Sequence, residues 1–499
     1  MKLKPKTIGF NLKSREIIKE PYFDLAIAFW LIDPDLKDYS PEKIFSVFIK
    51  KEWSGKKEDI EAVYAFAEKK LKEYGLIEVF YEIEMPMLKI LGEMERSGIG
   101  IDMRKIKKLK KELEDVILGL EKKIYRYAGR KFNLNSPKQL GEVLFKKLEI
   151  HSGKDSPLLR KTPKGETSTN FEQLSAYADK HPIIRPILEY RSAHKILRTY
   201  ADPIIGLIGK DGRLHTTYVQ TGTATGRLSS ENPNLQNVPV AEEVSEKNWG
   251  RKLRECFVAR SGFELVAFDY SQLELRIIAS VSEDKAMIQS FLDGKDIHAI
   301  TAAQIFSVPV QKVTKEMRRI AKTLNFGVVY GMGSMAFARS SGLSLSDARK
   351  FIESYFETFP NIKIWQEGII REARETGYVM TLTGRRRNLK GILSPFARVA
   401  AQAERIAINM PIQGLEADIM KYAMIKSRQK LEEKKWWGGA VRMLLTIHDE
   451  LLFEVRNDII NEAASEIIKS MEGAYSLRVP LKINPSRGKS WGNLSPFLP

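Results

Sequence analysis

The pattern of apolar positions first predicts a helical region after the N-terminal segment. Apolar residues recur at helical spacing from Met87 to Met94, and a second helix is expected to begin at Asp102, which is a suitable N-cap. The apolar stripe of this second helix consists of Ile106, Leu109, Leu113, Val116, Leu120 and Ile124. The two segments predict a long antiparallel helical pair, although a coiled-coil spacer would show the same pattern.

Further along the chain, helical periodicity gives way to short apolar runs that are typical of β-strands. Residues 151–170 are rich in Gly, Pro, Ser and Thr and predict a loop. After another helical stretch, strand-like runs follow in "DGRLHTTYV", "FELVAFDY" and "AVRMLLTIHDELLFEV". A long, mainly helical stretch separates the last two runs. The pattern therefore predicts an α+β protein whose sheet is interrupted by a helical insertion.

One apolar run contains three polar residues where a strand would otherwise continue. His448, Asp449 and Glu450 interrupt "LTIHDELLFEV". Burying a carboxylate costs free energy unless the carboxylate is paired or binds a metal. The run predicts either a hairpin turn whose acidic residues face water or a turn that holds a cation.

A second carboxylate lies at the end of another predicted strand. In "VAFDYSQLELR", Asp269 is at the end of the strand and Glu274 is one turn into the following helix. A sheet that contains both strands would bring Asp269 close to Asp449. Two such carboxylates could share a pair of Mg²⁺ ions, because Mg²⁺ takes its other ligands from water and phosphate. Paired ions of this kind serve in-line phosphoryl transfer.

The segment "KEMRRIAKTLNFGVVYG" at 315–331 predicts a helix that is suited to a triphosphate. Arg318, Lys322, Phe326 and Tyr330 recur at every fourth position and form one stripe. The cationic half can donate charge-assisted hydrogen bonds to phosphate oxygens, and the aromatic half can pack against a base or sugar. A surface helix with a buried aromatic end would have the same pattern.

Composition favours a polyanionic partner. The 499 residues include 81 Lys and Arg against 63 Asp and Glu, for a formal net charge of +18, and an excess of this size indicates nucleic acid. Cys256 is the only cysteine, and the N-terminal residues contain no apolar stretch of signal-peptide length. We expect a cytoplasmic protein without a membrane span, associated with the nucleoid or, for a viral protein, located in the host cytoplasm. The many Lys, Glu and Ile residues are typical of proteins from organisms that live at high temperature.

Together these segments resemble the DNA polymerases of family A, the bacterial DNA polymerase I group. "DYSQLELR" is similar to motif A of that family, "RRIAKTLNFGVVYG" to motif B and "IHDE" to motif C, in the same order and with similarly long gaps. The segment "TGTATGRLSSENPNLQNVP" resembles the family's segment beside the primer–template duplex, and "AERIAINMPIQG" resembles another DNA-contacting helix. The resemblance covers residues 85–499.

This resemblance implies a right-hand α+β polymerase fold with an antiparallel palm sheet, helical fingers and a helical thumb. The expected boundaries are 85–209 for the thumb, 210–295 and 396–499 for the palm, and 296–395 for the fingers. The implied reaction adds deoxynucleotides to a primer 3′-hydroxyl and releases pyrophosphate, with two Mg²⁺ ions as cofactors and Mn²⁺ as an alternative. The implied partners are primer–template DNA and deoxynucleoside triphosphates, and we expect a monomer.

The resemblance also implies roles for single residues. Asp269, Asp449 and the carbonyl of Tyr270 would bind the metal ions, with Glu450 in a less defined catalytic role. Lys322 would bind the triphosphate and protonate the leaving pyrophosphate. The nucleotide would also contact Arg318, Phe326, Tyr330, Gln272, Glu274 and His298. The DNA would contact Arg227, Asn234, Gln236, Asn237, Lys195, Arg405, Asn409, Gln413 and His448. The run Arg385–Arg387 would contact phosphate or form a solvated basic loop.

Residues 1–84 resemble only the last part of the family's 3′–5′ exonuclease domain. A metal-binding aspartate is expected a few residues after Asn11, where this chain has Arg15. In the third exonuclease motif Tyr64 matches the tyrosine, but Glu68 replaces the aspartate, and the first motif has no room before Met1. A cation at residue 15 would repel a metal ion. We therefore expect a small α/β remnant without proofreading activity, and no 5′-nuclease domain.

Two other functions remain open at the level of sequence. A single-subunit RNA polymerase of the phage type shares the palm chemistry, but Glu274 argues against it, because a glutamate there crowds the sugar 2′ position in the family that this chain resembles. A DNA-binding protein without catalytic activity would explain the net charge. It would need neither the paired carboxylates nor the cationic and aromatic stripe.

Overall fold

The computed structural model describes residues 5–14, 21–152, 159, 161–162, 165–239 and 247–499, and it contains both helices and strands. The α-helices are α1 (Leu25–Ile32), α2 (Pro41–Ile44), α3 (Lys57–Glu73), α4 (Met85–Ser97), α5 (Met103–Ala128), α6 (Pro137–Gly141), α7 (Phe171–Ser175), α8 (Ile184–Lys195), α9 (Asp202–Leu207), α10 (Trp249–Arg254), α11 (Leu273–Ser282), α12 (Lys285–Leu292), α13 (Ile297–Ile305), α14 (Lys315–Val329), α15 (Ser334–Ser341), α16 (Leu345–Thr358), α17 (Pro360–Thr376), α18 (Ala397–Glu433) and α19 (Ile460–Glu472). Four wider π-helical turns adjoin α-helices, at Phe45–Ile49, Val79–Glu84, Glu142–Lys147 and Ile196–Ala201. Short 3₁₀ turns lie at Leu12–Ser14, Val310–Lys312, Asn457–Ile459 and Trp491–Asn493.

The strands form several antiparallel sheets and one parallel pair in the described part of the chain. They are β1 (Thr7–Gly9), β2 (Tyr22–Asp24), β3 (Ile99–Ile101), β4 (Arg213–Leu214), β5 (Thr217–Val219), β6 (Ser229–Glu231), β7 (Phe257–Val258), β8 (Phe263–Tyr270), β9 (Tyr378–Met380), β10 (Arg386–Asn388), β11 (Val441–Ile447), β12 (Glu450–Arg456), β13 (Ile483–Gly488) and β14 (Ser495–Pro496). The largest sheet has the order β11-β12-β8-β13-β14. Helices α11 to α18 lie between β8 and β11 in the chain, so the predicted helical insertion is confirmed.

The central sheet is buried on both faces. In β8, Val266 and Phe268 belong to one hydrophobic core, whereas Leu265 and Ala267 belong to another. Successive side chains of a strand point to opposite faces, so this alternation places a core on each side. One core contains residues of α4 and of α11 to α19, and the other contains residues of α5, α8, α9 and α10. A sheet covered on both faces accounts for the nearly continuous apolar sequence of its strands.

The predicted second helix exists, but the predicted helical pair is wrong. Asp102 caps α5, because its Oδ1 accepts hydrogen bonds from the backbone N–H groups of Arg104 and Lys105 at 3.0 and 3.1 Å. However, α5 packs against α8 and not against α4. The two helices do not form a hairpin because β3 lies between them in the chain and pairs with β4 and β7. The stripe also differs at one position, since Ile117 is buried and Val116 is only half-buried.

Gly98 is where the chain turns from α4 into β3. Its φ is 55°, a left-handed conformation that favours glycine. A Cβ atom at this position would lie 2.8 Å from the carbonyl oxygen of Leu214, which is shorter than any normal contact. The close approach allows β3 to pair with β4, and the chain enters α5 on the opposite side of the central sheet from α4.

The N-terminal region has a hydrophobic core of its own. This core includes the wholly buried helix α1 and residues of α3 and the start of α4. Strands β1 and β2 form a parallel pair beside it. Arg15, which bears on the exonuclease prediction, lies outside the described residues. Tyr64 packs edge-to-face on Phe23, with ring centroids 4.9 Å apart. None of the described helices is both long enough and apolar enough to cross a membrane.

Candidate active site

Asp269 and Asp449 lie at the same end of the central sheet. In β8, Asp269 is opposite Glu450 of β12 and Asn484 of β13. The backbone N–H of Tyr270 donates to the carbonyl of Asp449 at 3.1 Å. His448 and Asp449 form the two-residue turn between β11 and β12, with a φ of 52° at His448. The hairpin and the shared sheet that the sequence predicts are both present.

The carboxylates at this end of the sheet have raised pKa values, mainly because they are buried. Burial, and then Asp449 and Glu450, raise the pKa of Asp269 to about 7. Burial also raises the pKa values of Asp449 and Glu450, with His448 opposing the rise for Asp449 and Arg254 opposing it for Glu450. Such a cluster is more stable in its charged form when a cation is close.

The donor set fits Mg²⁺. Within the described ranges, no group of three or more His, Cys, Asp or Glu side chains forms a compact metal site. Mg²⁺ does not require one, because it commonly uses one or two protein carboxylates together with water and substrate phosphate. The Tyr270 ring is buried and its hydroxyl donates to the Met471 carbonyl at 2.6 Å, so only the backbone of Tyr270 is available to the site.

A cavity of about 690 Å³ lies beside the two carboxylates. Its lining includes Asp269, Asp449, Glu450, His448, Gln236, Asn237 and Lys195. A second cavity, of about 220 Å³, is lined by Arg227, Asn234, Gln236, Asn237, His448 and Glu416, among others. The side-chain amide of Gln236 donates to the Thr446 carbonyl of β11 at 3.1 Å. The structure therefore brings most of the predicted DNA-contacting residues to the two sides of the β11–β12 turn.

The helix α14 carries the predicted cationic and aromatic stripe. Thr314 caps it, accepting a hydrogen bond from the N–H of Met317 at 3.2 Å. Lys322, Phe326 and Tyr330 line a cavity of about 740 Å³. Arg318 is one turn earlier, is exposed, and pairs with Asp296 at 2.7 Å. The stripe is thus open to solvent along most of its length, and Arg318 has a carboxylate partner.

His298 lies behind this stripe rather than on its surface. It is 3% exposed, its Nδ1 contacts the side-chain amide of Asn325 at 2.8 Å, and its ring centroid is 5.8 Å from that of Phe326. Burial lowers the pKa of His298 to about 4, so the imidazole is neutral at pH 7. A role of His298 at phosphate would use a hydrogen bond and not a positive charge.

Arg227 is held between two carboxylates. Its Nη2 donates to Glu274 Oε1 at 2.7 Å and also to Glu416 Oε2. Glu274 lies in the first turn of α11, and Gln272, with a φ of 55°, precedes that helix as its N-cap. Burial, opposed by Arg227 and reinforced by Glu274, raises the pKa of Glu416 to about 8.

Three predicted DNA-contacting residues lie on α18, four residues apart. Arg405 is exposed and lines the cavity of about 740 Å³ that Lys322, Phe326 and Tyr330 also line. Asn409 and Gln413 are half-buried, and the Asn409 Oδ1 has no hydrogen-bond partner among the residues that the structure describes. Neither Asn409 nor Gln413 lines the cavities beside the carboxylates.

The interpretation of Arg385 as a phosphate contact or a solvated residue is wrong. Arg385 is 2% exposed, and its Nη2 donates to Asp418 Oδ1 at 2.5 Å and to Glu84. Its two neighbours also have partners. Arg386 lies over the ring of Tyr378, and Arg387 pairs with Asp35 at 2.7 Å. The local sequence suggested a basic loop because the acidic partners are far away in the chain.

Comparison with known proteins identifies the family. The sequence profile of DNA polymerase family A matches residues 103–493. The chain belongs to DNA polymerase family A. The α+β polymerase fold predicted from the sequence is thereby confirmed, and the divalent metal ions that family A polymerases generally use agree with the carboxylates at the sheet end.

Individual family A relatives match most of the chain. It is 41% identical over 480 residues to DNA polymerase I of Caldicellulosiruptor bescii, covering 94% of this chain and 54% of that protein. It is 44% identical over 421 residues to the thermostable DNA polymerase I of Thermus thermophilus, covering 84% of this chain and 49% of that protein. The chain therefore spans about half the length of these curated relatives.

A solved structure of the same family has a similar fold. The POL domain of Pol1 from M. smegmatis, in complex with a DNA primer-template and dNTP, superimposes with a TM-score of 0.88 at 35% identity. The match covers 94% of this chain and 82% of that chain.

Glu416 and Arg254 are residues of the site that the sequence analysis missed. Glu416 contacts Arg227, and Arg254 lines the cavity of Asp269 and opposes the rise that burial causes in the pKa of Glu450. A signal for Glu416 was present, because "GLEADIMKYAMI" places charged residues in a helix that is otherwise apolar. Arg254 had no comparable signal, since "KLREC" is typical of a surface helix.

Proposed function

We propose that this chain catalyses template-directed DNA synthesis, adding deoxynucleotides to a primer 3′-hydroxyl. The observation that carries the proposal is the common location of Asp269 and Asp449 beside a cavity that Lys195, Gln236 and Asn237 also line. The solved relative with primer-template and dNTP supports the same class of substrates. We assign 85–209 to the thumb, 210–295 and 396–499 to the palm, and 296–395 to the fingers.

The two aspartates would hold Mg²⁺ ions, with Mn²⁺ as an alternative, and these ions would supply charge stabilisation for the attacking and leaving oxygens. The carbonyl of Tyr270 would complete the protein ligands. Glu450 adds negative charge beside Asp269 and Asp449. The chain's own contribution is to hold these groups rigidly at the end of a sheet that is buried on both faces.

The α14 stripe would bind the incoming nucleotide. Arg318 and Lys322 donate to phosphate oxygens, for which Arg318 exchanges its partner Asp296 for phosphate. Phe326 and Tyr330 pack against the sugar and base. The primer 3′-hydroxyl gives its proton to water and its oxygen bonds to the α-phosphorus, while the bond from that phosphorus to the bridging oxygen breaks. Lys322 protonates the departing pyrophosphate. Catalysis of this kind is mainly positioning and charge stabilisation.

Primer extension with deoxynucleotides and Mg²⁺ tests the proposal directly. We expect extension by the unchanged chain, and a loss of at least about a hundredfold in Asp269→Asn and in Asp449→Asn. Binding of primer–template should change little, because affinity depends on many phosphate contacts.

Asp458→Asn is the matched control for these variants, because Asp458 is an exposed aspartate just beyond the same sheet and pairs with Arg456. It should extend normally. No extension by the unchanged chain would contradict the function. Extension within about tenfold of normal in both site variants would contradict the assignment of the two aspartates.

A further inference from the structure

Glu416 is a buried carboxylate at the edge of the candidate site. It lies on α18, is 3% exposed, and has apolar neighbours on the same helix in Leu415, Ala417 and Met420. Its Oε2 accepts from Arg227, and its side chain lines the same cavity as Arg227 and His448. A carboxylate in such surroundings costs free energy unless its partner is held close.

The Arg227 guanidinium is hydrogen-bonded to two carboxylates. One nitrogen, Nη2, donates to both Glu416 and Glu274, whereas Nε is buried and has no hydrogen-bond partner in the described part of the chain. Two carboxylates therefore share one cation. Tyr330, at the end of α14, is close enough to both carboxylates for them to raise the pKa of its hydroxyl beyond the effect of burial.

We propose that Glu416 is a positioning residue that fixes the Arg227 guanidinium and, through it, the Glu274 carboxylate, and so contributes to the choice between deoxyribose and ribose. The proposal rests on the proposed function, because it assigns Glu274 to the sugar of the incoming nucleotide. Glu416 itself need not touch the nucleotide. It acts through the hydrogen bonds that converge on Arg227.

The physical consequence of removing Glu416 follows from the shared nitrogen. Without Glu416, Arg227 would keep only the Glu274 bond and would gain freedom to rotate within the cavity of about 220 Å³. The Glu274 carboxylate would then move with its partner. A side chain that excludes a 2′-hydroxyl by its position loses selectivity when that position is less well defined.

The test compares Glu416→Ala with Glu416→Gln in single-nucleotide incorporation. For Glu416→Ala we expect the preference for deoxynucleotide over ribonucleotide to fall by about tenfold or more, with the loss expressed mainly in KM. Glu416→Gln retains an oxygen that can accept from Arg227, so most of the preference should return. If Glu416→Gln restores the preference for deoxynucleotide, Glu416 acts by positioning Arg227 and not by its negative charge.

Glu454→Gln is the matched control. Like Glu416, Glu454 is a buried carboxylate that pairs with arginine, in this case Arg213 and Arg260, but it lies in β12 away from these cavities. We expect it to lower the melting temperature and to leave sugar preference unchanged. An unchanged preference in Glu416→Ala, or an equal loss in Glu454→Gln, would overturn the proposal. If the unchanged chain does not extend primers at all, that result contradicts the proposed function, and it is distinguishable from a failure of the Glu416 proposal.

Discussion

The orientation of the Glu274 carboxylate depends on the residues around it. It lies in the first turn of α11, its side chain is 17% exposed, and its carboxylate is hydrogen-bonded to Arg227 at 2.7 Å. That bond favours one orientation of the carboxylate. A restricted carboxylate close to Tyr330 can exclude a ribose 2′-hydroxyl both by its bulk and by its hydrogen bonding.

At the residue scale we therefore predict a change in sugar selection for Glu274→Ala. Ribonucleotide incorporation relative to deoxynucleotide should rise by at least about tenfold, measured by single-nucleotide incorporation. Glu283→Ala, at the other end of the same helix, is the control, because Glu283 is exposed and pairs with Arg478. Equal sugar preference in the two variants would argue against this placement of the nucleotide.

At the scale of elements, α18 connects the site to the N-terminal region. Asp418 accepts from Arg385, and the Lys421 ammonium donates to Glu84 Oε1 at 2.6 Å. The four charges of this buried cluster sum to zero. Burial by itself would raise the pKa of Glu84, but Lys421 and Arg385 lower it below its ordinary value, so the carboxylate stays charged. The cluster joins the π-helical turn before α4, the β9–β10 turn and α18.

We predict that Lys421→Met destabilises the protein strongly. It would leave the charge of Glu84 only partly compensated in the interior, which typically costs about 3–5 kcal/mol. Lys390→Met removes an ion pair with Asp33 in which the lysine is 72% exposed, and it should cost at most about 1 kcal/mol. Thermal unfolding compares the two variants. Similar melting temperatures would show that the buried cluster contributes no more to the stability of the protein than a surface ion pair does.

At the scale of the whole molecule, the N-terminal region is hydrogen-bonded to α4 and to the segment that carries Arg227. The Trp30 indole N–H donates to the Thr223 carbonyl at 2.8 Å, and Tyr22 donates to the Met85 carbonyl at 3.0 Å. Lys13 pairs with Glu95 at 2.5 Å. The Trp30 contact indicates that α1 supports the segment that carries Arg227.

We predict that this region does not remove mismatched nucleotides. A primer with a mismatched 3′ end, incubated with the protein and Mg²⁺ but without nucleotides, should keep its length, because by the family resemblance Arg15 and Glu68 would occupy positions where two-metal hydrolysis needs aspartates. The Asp269→Asn variant is the control. Stepwise shortening that persists in this variant would reveal an exonuclease site separate from the polymerase site.

Local interactions determined much of what the sequence alone could predict. The N-cap at Asp102, the periodicity of α14 and the run of β8 depend on residues only a few positions apart, and each is present in the structure. The motif carboxylates could be placed on one sheet because each ends an apolar run. Short-range capping and apolar periodicity are properties of a segment that do not require knowledge of the remaining chain.

Tertiary structure alone decided where charges are buried and which helices pack together. Arg385 looked like a surface residue because Glu84 and Asp418, which neutralise it, are 301 and 33 positions away. The packing of α5 against α8, and the contact of Glu416 with Arg227, likewise join segments that are distant in the chain. A charge is tolerated in the interior only when a partner arrives from elsewhere in the fold, so no local pattern could have shown which of these residues lie inside.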